Sequence, residues 1–248
     1  MKKVKRISGA SFVVAMALTM MTSVTSMAQN INWGNAQIIT GDANLLTAGF
    51  YSDALIPNHG PLTADGVTFN QDTHITSTGG GDSLISYTIT SGDNNSYGNN
   101  TLFTGGSADF NAVMNAGGTF QNGGAGAGTV TIGGLTIGNT YAVQVFNYAG
   151  DGDTGLTTFS GATPVTLSTE VGGIVTQGQF ATGTFIATGL TETFDWNGAG
   201  SAYTVLGAIS VRDITSVPEP SIGGLSVTAS LLALISSRRF WQKSTPNP

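Results

Sequence analysis

The chain of 248 residues has no cysteine and few charges, 9% of its residues against about a quarter in an ordinary soluble domain. The first absence excludes disulfide scaffolds, thiol nucleophiles and zinc sites built on thiolates. The second is uneven along the chain. Lys2, Lys3, Lys5 and Arg6 lie at the start and Arg238, Arg239 and Lys243 at the end, so Arg212 is the one cation between residues 29 and 217. Thirteen of the 14 acids share that stretch, giving it a charge of about −12. Such a body repels nucleic acid, whose binding needs clustered Lys and Arg. Histidine is reduced to His59, in the turn-like Asn58-His59-Gly60-Pro61, and His74, in a Thr-rich stretch. With no Gly-x-Ser-x-Gly elbow either, a Ser-His-Asp hydrolase has no framework here.

What is abundant is glycine, 36 residues, alongside 40% apolar residues, enough over this length for a sizeable core. The amino-terminal cations precede the apolar stretch Ala10 to Met21 and the small residues Ser26-Met27-Ala28. This is the order of a secretory signal peptide over residues 1–28, with cleavage expected between Ala28 and Gln29 by signal peptidase. Near the other end, the mostly apolar run Ile222 to Ile235 sits within a 221–237 segment of about the shortest length that spans a bilayer. Arg238 and Arg239 after it would stay on the cytoplasmic side. The body is therefore expected outside the cytoplasm, held by the inner membrane.

Val217-Pro218-Glu219-Pro220-Ser221, the apolar run and then Arg238-Arg239 resemble the PEP-CTERM sorting signal of exported bacterial proteins. Pro218 and Pro220 keep the backbone extended at the membrane face, where a protease can grip it. The resemblance implies that residues 217–248 are processed by exosortase and that the protein moves on to the cell surface or an exopolysaccharide matrix. The tail Phe240 to Pro248 departs from the class, which usually stops soon after its arginines.

Residues 29–216 read as one all-β domain. Leu84 to Thr90 alternates, with Ile85, Tyr87 and Ile89 on one face. Thr204 to Arg212 is expected to do the same, with Val205, Ile209 and Val211 inward and Thr204, Ser210 and Arg212 outward. Further strands are expected in Ala36 to Thr40, Gly66 to Asn70, Thr129 to Ile132, Tyr141 to Tyr148, Thr154 to Ser160, Pro164 to Glu170, Gly183 to Thr188 and Thr191 to Trp196. About ten strands between Gly, Asn and Asp turns predict a β-sandwich or jelly roll. Ser107 to Gly117 is the one helical pattern: Ser107 can cap it, and Phe110, Val113 and Met114 share a face. It is expected to plug one end of the sandwich. Gly79-Gly80-Gly81 and Gly117 to Gly128 read as loops.

Thr47-Ala48-Gly49, Asp65-Gly66-Val67-Thr68-Phe69, Leu135 to Val145, Gly183-Thr184-Phe185 and Leu206 to Arg212 occur in an order similar to galactose-binding-like jelly rolls. The resemblance implies the fold more than an activity.

Candidate chemistry is sparse. Thirteen acids could supply the two carboxylates of a glycosidase, which sit about 5 to 9.5 Å apart, but no spacing singles out a pair. Asp151-Gly152-Asp153 is the densest oxygen cluster and makes calcium the one cofactor the pattern accommodates, although the EF-hand spacing fails. A solvated Asp-Gly turn between strands is the reading set against it. Gln144, Phe146 and Tyr148 form an aromatic-amide pattern suited to sugar rings, with buried strand packing as the alternative. Arg212 is expected to pair with an acid, or to grip the carboxylate of an acidic sugar. The expectation is an exported, non-catalytic protein that binds polysaccharide. A purely structural or adhesive matrix role and a glycoside-active enzyme are the alternatives.

Overall fold

The computed structural model describes residues 30–57, 60–72, 76, 79–82, 84–91, 95–96, 102–116, 119–122, 126–149, 154–174, 176–200 and 203–215. In chain order the strands are β1 (Asn32–Trp33), β2 (Gln37–Ile38), β3 (Phe50–Leu55), β4 (Leu62–Ala64), β5 (Val67–Phe69) and β6 (Gly79–Gly81). They continue with β7 (Ile85–Ser91), β8 (Asn95–Ser96), β9 (Thr119–Asn122), β10 (Ala127–Ile132), β11 (Thr140–Asn147) and β12 (Leu156–Phe159). The last are β13 (Val165–Ser168), β14 (Gln179–Ile186), β15 (Glu192–Gly198), β16 (Tyr203–Leu206) and β17 (Ile209–Asp213). One α-helix, α1 (Ala108–Asn115), and a 3-10 turn at Asp42–Asn44 complete the described elements.

The strands form an all-β sandwich. One six-stranded sheet runs β1-β14-β11-β17-β3, with β2 also on β14, and the other runs β13-β12-β15-β10-β7-β6. Both are antiparallel throughout. Alternation decides what lies between them. Val143 and Val145 of β11, Val211 of β17 and Leu55 of β3 meet Ile85 and Tyr87 of β7, Val130 of β10 and Phe194 and Trp196 of β15 in one buried cluster. Trp33, Phe159 and Phe194 interlock there, with ring centroids 5.4 to 6.1 Å apart. Burial of this apolar area is the main term holding the sheets together.

The first sheet is apolar on its other face too. Ala54, Phe146, Phe180 and Ala208 pack there against Phe110, Val113 and Met114 of α1 and Val67 and Phe69 of β5. The helix forms where the sequence predicts it, and the Ser107 hydroxyl accepts from the Phe110 amide at 3.3 Å as the cap. It covers this outer face instead of plugging one end of the sandwich, because its apolar side chains belong to the outer cluster.

Two other expectations are corrected. Gly79–Gly81 is strand β6 and not a loop: a Cβ at Gly79 would lie 2.2 Å from the Tyr87 carbonyl oxygen, so only glycine permits this approach to β7. Thr204 to Arg212 is not one strand but two, broken at Gly207-Ala208 and divided between sheets. A Cβ at Gly207 would meet the Phe146 carbonyl oxygen at 2.2 Å, so only glycine lets the chain pass this close to β11. Thr204, Ser210 and Arg212, expected outward, are buried, Ser210 and Arg212 because the outer face of the first sheet is covered and Thr204 on the separate strand β16.

Candidate functional site

Gln144 and Arg212 both point to the outer face of the first sheet, where residues 41–49 cross it. Gln144 Nε2 donates to the Asn44 carbonyl at 2.7 Å and to Thr182 Oγ1 at 3.2 Å, and Oε1 accepts from the Leu46 amide at 3.0 Å. Arg212 donates through Nε to the Ala48 carbonyl at 2.9 Å and through Nη2 to the Gly49 carbonyl at 3.0 Å. Its guanidinium lies 5.9 Å from the Tyr51 ring centroid, a cation-π distance. At the other end of the crossing, the Ser107 hydroxyl and amide donate to the Asp42 carboxylate, which holds its pKa below the usual carboxylate range. Residues 41–49 thus form a strap fixed by three side chains. Among the described residues Arg212 makes no ion pair, so the pairing expected from the acidic surroundings is replaced by two carbonyls and a ring.

Phe146 and Tyr148 stack into the outer cluster, with Phe110 edge-on to Phe146, Phe180 stacked on it at 5.6 Å and Phe103 edge-on to Tyr148. Both rings are buried, and so are Trp33 and Trp196. Among the described residues, the aromatics that are exposed are Phe50 and Tyr51 on β3, at 64% and 41%. Nothing in the sequence singles them out. The Tyr51 hydroxyl donates to the Thr68 carbonyl, and burial, then the Asp53 carboxylate, pushes its pKa up to about 12.

Among the described residues, Asp53 and Asp82 are acids that meet. Asn70 Nδ2 donates to Asp53 Oδ1 at 2.6 Å and to Asp82 Oδ2 at 3.0 Å. Asp53 Oδ1 also accepts from the Ala54 amide, while Oδ2 is buried with no donor. Burial, then the Asp82 carboxylate, raises the Asp53 pKa to about 7. The fold therefore favours the protonated form, and the unfolded chain ionises near its ordinary value. This contribution to stability is fully present below about pH 4 and lost as pH rises to about 7, with a slope of at most about 1.4 kcal/mol per pH unit for one proton. Chemical denaturation from pH 4 to 8 should show this decline, and Asp53→Asn should flatten it. Asp53 is buried and Asp82 half-buried, and the two share the Asn70 side-chain amide.

An open groove of about 270 Å³ lies at the end of the first sheet where β2 meets β14, lined by Ile39, Thr40, Phe103, Thr104, Gly105, Thr176 and Gln177. Its three loops are tied together. The Ile39 amide donates to the Gly178 carbonyl at 3.0 Å, and a Cβ at Gly105 would lie 2.9 Å from the Thr40 carbonyl oxygen. Among the described residues the Thr104 and Thr176 hydroxyls and the Gln177 side-chain amide make no hydrogen bond, the Gln177 backbone amide donates to the Ile174 carbonyl at 3.1 Å, and none of the described lining residues is ionisable. In sequence Ile39 and Thr40 close an expected strand and the others carry no pattern; only the fold brings them together.

Other positions singled out from the sequence lie outside the described residues: Ala28, Gln29, His59, His74, Asp151, Asp153, Pro218, Glu219, Pro220, Arg238 and Arg239. Among the described residues, no group of three His, Asp or Glu is placed to hold a metal ion, and no helix is long and apolar enough to cross a membrane.

No protein-family model and no curated protein matches the chain. Among solved structures, the chain is similar to a CBM35 from Cellvibrio japonicus Abf62, at 19% identity and a TM-score of 0.32, over 50% of this chain and 84% of that one. A likeness this slight carries no weight for fold or ligand.

Proposed function

We propose that this is an exported, non-catalytic protein whose sandwich binds a neutral polysaccharide in the groove between Thr40, Thr104, Thr176 and Gln177. The observation that carries the reading is that the described lining presents the Thr104 and Thr176 hydroxyls and the Gln177 side-chain amide and no ionisable side chain. Sugar hydroxyls need such donors and acceptors, and sites that leave them unpaired with the wrong ligand discriminate strongly. An acidic sugar is disfavoured, because the body carries about −12 and its one cation, Arg212, already holds the strap.

In this proposal the amino-terminal 28 residues direct export, residues 221–237 hold the protein in the inner membrane, and exosortase acts at Pro218-Glu219-Pro220 to pass it to the cell surface or matrix. A structural role without a ligand pocket is favoured by a different observation, that Gln144, Phe146, Tyr148 and Arg212 are all committed to internal contacts. The two readings separate on a glycan array of the exported protein. Neutral glycans should be retained, and Gln177→Ala should weaken them by about tenfold, the loss of one to two hydrogen bonds, without a shift in melting temperature. Absence of any retained glycan would leave the structural role.

A further inference from the structure

Four apolar side chains stand exposed at the end of the sandwich opposite the groove: Leu84, Ile137, Ile186 and Leu190, at 36%, 61%, 58% and 68%. Backbone hydrogen bonds bind their loops into one surface. The Gly133 amide donates to the Leu84 carbonyl at 2.7 Å and the Leu135 amide to the Leu190 carbonyl at 3.2 Å. Gly138 and Ala187 are joined at 2.8 Å, and Ala187 and Asn139 at 2.9 Å. Single exposed apolar residues are ordinary, but a contiguous group marks a surface that meets something apolar.

The chain leaves the body at this same end. The Ile214 amide donates to the Thr140 carbonyl at 2.9 Å, Thr140 pairs with Ile186, and Thr215 is the last described residue. Residues 216–221 then lead into the apolar segment 222–235. Those six residues reach at most about 20 Å even when fully extended, so the apolar end is confined close to the bilayer that holds the segment.

We propose that Leu84, Ile137, Ile186 and Leu190 form a membrane-docking surface that rests on the outer leaflet of the anchoring bilayer. The proposal rests on the reading of 221–237 as a membrane helix. Docking is apolar and not electrostatic, since Arg212 is the one cation of the body and is turned inward. The orientation has a consequence for the groove. In the first sheet β11 runs from Thr140 at the apolar end to Asn147, and β14 starts at Gln179 beside β2. With the apolar end on lipid, the groove faces away from the membrane, toward extracellular polymer.

The absence of native cysteine allows a direct test on the full chain reconstituted in phosphatidylethanolamine and phosphatidylglycerol vesicles with brominated acyl chains. Environment-sensitive fluorophores are placed singly at Ile137→Cys, Leu190→Cys, Ala199→Cys at the far end of β15, and Ala229→Cys within the apolar segment. Labels at 137 and 190 should be quenched about twofold or more, at low and high salt alike, and the label at 199 should not. Quenching at 229 without quenching at 137 and 190 would overturn docking while leaving the membrane helix standing. Quenching at 137 and 190 but not 229 would support docking and remove the helix. Loss of both would overturn both. A blue shift at 190 that grows with protein concentration and is insensitive to bromine would assign the surface to a second copy and overturn the lipid assignment.

Discussion

Replacing Phe194 by alanine should lower the melting temperature by about 10 °C. The ring is fully buried between the sheets, 5.4 Å from Trp33 and 6.1 Å from Phe159, and belongs to the cluster that joins β15 to the first sheet. Truncating a buried Phe costs about 3 to 5 kcal/mol, because the transfer energy of the ring is lost and the cavity only partly closes. In a domain of this size each kcal/mol moves the midpoint by roughly 2 to 4 °C. Phe194→Leu, which keeps most of the volume, should recover more than half of the loss. A shift below about 3 °C for the alanine variant would mean that the two sheets do not meet through these rings. Calorimetry of the exported protein gives the answer.

Arg212→Ala should cost about 3 kcal/mol and act locally. The side chain is 8% exposed and supplies two charge-assisted hydrogen bonds, to the Ala48 and Gly49 carbonyls, together with the contact to the Tyr51 ring. Bonds from a charged donor are worth about 1.5 to 3 kcal/mol each, and removal leaves the two carbonyls without their partner. Lysine is a poor substitute, because a single ammonium on a flexible stem cannot present two fixed donors to adjacent carbonyls. Hydrogen exchange should quicken across residues 42–50 in Arg212→Ala and stay unchanged in β7, β10 and β15. Since the partners are carbonyls, 1 M salt should leave the strap in place. Salt-sensitive exchange there would point to an ion pair in place of these bonds.

Where burial on one face sets the pattern, the structure was legible in the sequence. Ile85, Tyr87 and Ile89 alternate inward as their spacing requires, and the Ser107-capped helix forms over Ala108–Asn115. Tyr141 to Tyr148, apolar on both sides, is a central strand with Val143 and Val145 in one core and Phe146 and Tyr148 in the other. Packing, one of the two readings open for that strand, is what its aromatics do here.

The failures share a cause, which is contact between segments distant in sequence. Gly79–Gly81 has no side-chain pattern, and its strand exists because bare backbone can lie against Tyr87 and Ser86. Gln144 and Arg212 look like surface groups until the strap, about 100 and 163 residues away along the chain, closes over them. The groove is the same case: Thr40, at the end of an expected strand, and Thr104 and Thr176, which no pattern singles out, are brought side by side by three separate segments.

The claim that the groove binds a neutral glycan is tested most directly by amide chemical shifts of the exported protein titrated with soluble neutral oligosaccharides. The account predicts saturable shifts at Thr40, Thr104, Gly105, Thr176 and Gln177, with Phe50, Tyr51, Ile137 and Leu190 unmoved. Saturable shifts centred on Phe50 and Tyr51 with the groove silent would contradict it.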